Sequence, residues 1–103
     1  MLNDWKWNDN LELKDSSGNV IATLEKVADG VWTDGVWNCR FRNEECNSLS
    51  AILLHTETKE IAIWQATIWI YDECNRIANS YHHIRDHLPH LHDLRVAAMG
   101  EIL

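Results

Sequence analysis

The sequence predicts an α+β fold: an N-terminal antiparallel sheet of three or four strands, packed against one long C-terminal helix with shorter helices beside it. Three observations carry this prediction. Residues 11–42 alternate apolar and polar side chains between turn-forming runs. Residues 57–88 carry apolar side chains at helical spacing. Pro89 then separates that stretch from a last short periodic segment.

Each element has its own signal. Trp5 and Trp7 stand two apart and would face the same side of a strand. Leu11-Glu12-Leu13-Lys14 alternates as a half-buried strand does. Asp15-Ser16-Ser17-Gly18-Asn19 is an unbroken run of turn formers. Val20 to Val27 is the returning strand, with Val20, Ala22 and Leu24 on one side. Asp34-Gly35 between apolar flanks predicts a two-residue type I′ hairpin, because both central residues need positive φ. That register sets Thr33 opposite Val36 and Trp32 opposite Trp37. The strand continues through Cys39 and Phe41, and residues 1–42 read as a β-meander.

Asn43-Glu44-Glu45 reads as a helix start, a capping residue followed by two acids at the positive end of the dipole. A short helix is therefore predicted over 43–55, with Cys46, Leu49, Ile52 and Leu53 as its apolar face. A competing reading pairs Ser50–His55 with Glu60–Gln65 as a hairpin. The long helix is predicted over 57–88, with Thr56 or Thr58 as its cap. Its stripe is Ile63, Ala66, Ile70, Cys74, Ile77, Tyr81, Ile84 and Leu88, in steps of three and four. From Ile61 to Tyr71 the helix is apolar almost all round, because Ile61, Trp64 and Ile68 add a second row and Trp69 lies on a further face. The β-branched content there also suits a fully buried strand, but the unbroken period favours helix. Pro89 ends it. Leu91, Leu94, Ala98 and Ile102 then predict a terminal helix over 90–102.

Composition narrows the function classes. A chain of 103 residues with 46% hydrophobic residues makes one domain with a real core. The net charge of −7 is spread over both halves with no basic patch, which argues against direct nucleic-acid binding. An acidic inhibitor that mimics nucleic acid stays open as an alternative. No apolar run is long enough to span a membrane, and the first residues lack a signal-peptide pattern, so a cytoplasmic location is expected. Cys39, Cys46 and Cys74 have no CxxC spacing and form no disulfide framework, and Cys74 reads as a small core residue.

The one cluster of ligating side chains is His82, His83, His87, His90 and His92 around Pro89. His83 and His87 are one helical turn apart, and with His90 could hold zinc or nickel, the alternative being a metal-binding protein or small metalloenzyme. The plain reading is a solvated helix end where imidazolium favours the dipole. On either reading five histidines predict sensitivity between pH 7 and pH 5. The sequence has no phosphate loop, no Gly-x-Ser-x-Gly and no dinucleotide fingerprint, so neither an enzymatic activity nor a cofactor is predicted.

The leading expectation is a small, acidic, non-enzymatic protein-binding module that forms a homodimer. A helix over 57–88 would be ~45 Å long, longer than the ~35 Å breadth of a compact chain of this size. A second copy would cover the overhang. Trp64, Ile68 and Trp69 on the helix, with Trp32 and Trp37 from the hairpin, are the expected contact residues. The short, acidic, Trp-rich type suggests an inhibitor or accessory protein of a phage or other mobile element.

Overall fold

Asp15 builds the first hairpin. Its carboxylate accepts from the backbone N–H groups of Ser17 and Asn19, both at 2.9 Å. Gly18 takes φ of 89° there, a conformation glycine adopts without steric cost. The structure is a computed structural model and describes residues 3–29, 35–43, 48–77 and 82–99. Strands β1 (Glu12–Lys14), β2 (Val20–Asp29), β3 (Gly35–Asn43) and β4 (Ser48–Thr56) form one antiparallel sheet in the order β1-β2-β3-β4. The α+β architecture is the one the sequence predicts.

The sheet has one covered face and one open face. Leu13, Ala22, Leu24, Trp37, Cys39, Phe41 and Leu54 are buried on the covered side, where cross-strand partners such as Leu24, Cys39 and Ile52 line up. Glu25, Arg40, Ala51, Leu53 and His55 are exposed on the other. The period of two along each strand separates the two sets.

Three expectations are corrected. Residues 48–56 are not part of a helix over 43–55 but form strand β4, paired with β3 from Asn43↔Ser48 to Gly35↔Thr56. The local cap signal loses because alternation places Ile52 and Leu54 beside Cys39 and Trp37, a packing gain that depends on a distant strand. The second correction is to the Asp34-Gly35 hairpin. Gly35 already pairs with Asp29, and Trp37 lies between Lys26 and Leu54, so Trp32 does not sit opposite it. Trp32 itself falls outside the described residues. The third concerns the long helix, which is two helices, α1 (Lys59–Ile77) and α2 (His82–His87).

Geometry requires that break. The Tyr71 hydroxyl reaches the carbonyls of Leu88, at 3.4 Å, and Pro89, at 3.2 Å. In one straight helix the 17 residues from Tyr71 to Leu88 would rise ~26 Å, far beyond a tyrosine's reach. Arg85 likewise donates to the Asn75 side chain at 2.6 Å, so α2 folds back along α1. Asn79 and Ser80, in the intervening sequence, are residue types that favour caps and turns over helix interiors.

α1 starts where the sequence places it. Thr58 is the cap, its hydroxyl accepting from the Ile61 N–H at 3.2 Å, and Glu60 lies in the first turn. Ala62, Ala66, Ile70 and Cys74 form an i+4 row with no exposure at all. α3 (Leu91–Met99) packs back on α1. Its half-buried residues are Leu91, Leu94 and Ala98, the predicted stripe.

The first residues close the fold. The N–H groups of Asn3 and Trp5 donate to the carbonyls of Asp86 and His87, at 2.8 and 3.0 Å, and the Asn3 amide donates to Leu88 at 2.7 Å. These are carbonyls that the end of α2 leaves without helical partners. Asn8, in a tight turn with Leu11 at φ of 59°, then returns the chain to β1. Tyr71→Phe should lower stability by ~1 kcal/mol, the worth of a net hydrogen bond. Ile70→Ala should cost ~2–5 kcal/mol through the cavity it leaves. Urea midpoints at unchanged slope would check both.

Candidate functional site

α1 lies chiefly over β4 and also touches β2 and β3. Two of its sides are occupied. Trp69 turns toward the sheet and meets Phe41 edge to face, with ring centroids 6.5 Å apart. Thr67 turns toward the N-terminal segment, where its hydroxyl accepts from the Trp7 indole at 2.9 Å. That segment bridges to β1 through Trp7 and Leu13, on the far edge of the sheet from β4. At 100° per residue, Ile61 and Ile68 fall roughly 100–120° round the helix from Thr67. With Trp64 they lie on the side of α1 away from the buried row of Ala62, Ala66 and Ile70.

The expected contact residues therefore divide. Trp64 and Ile68 are half-buried and lie outside the core cluster that Trp69 joins. Trp37 is only 6% exposed and sits in the core, with the Lys26 ammonium 5.8 Å from its ring centre. The structure removes it as a contact residue, since burial on both sides by β2 and β4 leaves it no partner surface. A residue that sequence reasoning missed is Leu53, 58% exposed on the open face of β4. A strand reading of 48–56 would have put it opposite Ile52 and Leu54 and marked it.

The described histidine side chains of the predicted cluster have separate partners. His87 stacks on Trp5, with centroids 4.6 Å apart and planes 10° off parallel. Its Nδ1 hydrogen-bonds the Asp4 carboxylate. His90 is exposed, and its Nδ1 accepts from the His92 N–H at 3.3 Å. The side chain of His83 lies outside the described residues. Among the described residues no three His, Cys, Asp or Glu side chains converge on a point that would suit a metal ion. Nearby, a cleft of about 530 Å³ opens between Trp5, Trp7, Ile63, Pro89 and Leu94, with Lys6, His90 and Asp93 at its mouth. The Trp5 indole N–H has no acceptor among the described residues, but it is sealed from solvent and so does not face a ligand in that cleft.

Comparison with protein-family models, curated proteins and solved structures gives no match for this chain. Within the described residues no helix is long and apolar enough to cross a membrane.

Burial pushes the Cys39 and Cys74 thiols up to about 12, so neither supplies a thiolate at neutral pH. Iodoacetamide at pH 7.5 should leave both unmodified in the folded protein and modify both in urea, as read by peptide mass spectrometry. The Asp4 carboxyl is held below its ordinary range, chiefly by the hydrogen bond from His87. Asp15 is held down as well, chiefly by the Asn19 backbone N–H. A carboxylate lowered by folding stabilises above its unfolded pKa, so this contribution fades as pH falls below ~4. Asp4→Asn with Asp15→Asn should flatten the decline in urea midpoint between pH 5 and pH 3.

Proposed function

We propose that the chain is a non-enzymatic protein-binding module that works as a homodimer through the outer flank of α1. The observation that carries this is Ile68, a half-buried isoleucine at the middle of α1 that lies outside the core cluster. With Ile61 and Trp64, likewise half-buried and outside that cluster, it forms an apolar strip. Burying such a strip removes apolar surface from water at ~25 cal/mol per Å², and a second copy supplies the same strip. The acidic surface elsewhere keeps the assembly soluble. Binding, not chemistry, suits a chain whose described cysteines are buried in protonated form and whose His87 is held in a stack.

Light scattering coupled to size-exclusion chromatography tests this. The expected mass is near twice the 12.0 kDa of one chain. Ile68→Glu should return it to one chain with an unchanged circular dichroism spectrum. A wild-type monomer at every concentration up to ~100 μM, some hundredfold above a 1 μM Kd, overturns the proposal.

A further inference from the structure

The two edges of the sheet are treated differently. β1 is three residues long, carries Glu12 and Lys14, and is bridged by Trp7 through Leu13. Short, charged and covered edges resist pairing with other strands. β4 has nine residues, Ser48–Thr56, and contains no Asp, Glu, Lys, Arg or Pro. It pairs with β3 on one side only, and no other described segment forms a ladder with it. By the same reasoning it is an edge open to pairing.

Charge says with what. The chain has net charge −7, so two copies repel one another over most of their surfaces. The two longest runs without Asp, Glu, Lys or Arg are residues 46–56 and 61–71. The first contains β4 and the second the half-buried strip of α1. α1 lies chiefly over β4, so the fold sets the two runs close together, and neither brings a charge to oppose a second copy.

We infer that β4 pairs antiparallel with β4 of a second copy, making one continuous eight-stranded sheet with the two α1 helices side by side on its covered face. This rests on the homodimer reading above and specifies its geometry. A two-fold axis normal to the sheet keeps both helices on one face. Directly opposite residues must then come from the same side of the strand. Centring on the strand's midpoint sets Ile52 against its own mate and Ala51 against Leu53. β4 and α1 have similar lengths, ~30 Å and ~28 Å, and only Glu57 and Thr58 join them. The same axis therefore passes near the middle of α1, at Ile68. α1 also touches β2 and β3, so its axis sits inside the edge, leaving room for the 8–10 Å that packed helices need. A strip ~30 Å long and about two layers, ~20 Å, deep gives ~600 Å² per partner before surface relief. That approaches the ~800 Å² of a standard interface.

Amide hydrogen exchange by NMR, run beside light scattering on the same samples, tests the inference. In an unpaired edge strand every second amide points outward and exchanges freely. Pairing predicts that these β4 amides are protected at least tenfold when the protein is dimeric and lose that protection on dilution to monomer. Ala51→Lys with Leu53→Lys, both at exposed positions, should leave the fold intact and weaken dimerisation at least tenfold, since it sets like charges opposite one another. A dimer whose outward β4 amides exchange freely overturns this inference while leaving the α1 interface standing. A wild-type monomer overturns both.

Discussion

The seating of α1 on the sheet is the contact on which the rest of the structure depends. Ala62 and Ala66 let the helix backbone approach the strands closely, and Ile70 and Cys74 fill the space farther along the same row. A sheet with one apolar face must bury that face against another element, and α1 is the element that covers it. Once α1 is seated, its remaining sides are fixed in direction. One receives the N-terminal segment and α3.

The N-terminal segment acts as a strap. Asn3, Trp5 and Trp7 tie the end of α2 and the side of α1 to the β1 edge. The strap also explains the fate of the histidine corner. His87 is a stacking partner for Trp5 and a hydrogen-bond partner for Asp4, which is structural work. The same arrangement concentrates covering elements on the β1 side of α1. Ile61, Trp64 and Ile68 lie outside the core cluster that these elements help to bury.

A charge-free edge strand is a hazard for a chain that stays alone. Evolved edges are usually blunted, and β1 shows the usual devices. Their absence from β4, next to a helix strip that is also uncharged, gives an isologous assembly a physical basis in this chain. Self-pairing would satisfy the outward backbone groups of β4 and bury Ile68 in a single step.

The sequence by itself determined the fold class, the first hairpin, the inward sets of β2 and β3, a threonine cap at position 56 or 58 and the stripe of α3. These depend on periods of two and 3.6, on turn chemistry and on caps, which are local and therefore written in neighbouring residues. Only the tertiary structure decided that residues 48–56 are a strand, that 57–88 is two helices folded on one another, and that Trp37 is core while Leu53 is exposed. Each of these depends on a distant partner: β3 for β4, Tyr71 for Leu88 and Pro89, and β2 and β4 for Trp37. A local cap at Asn43 and an unbroken helical period to Leu88 were real signals, but they carry a few tenths to ~1 kcal/mol each. Burying a whole side chain against a remote element stabilises by ~1.5–3 kcal/mol, and the stronger effect settled the outcome.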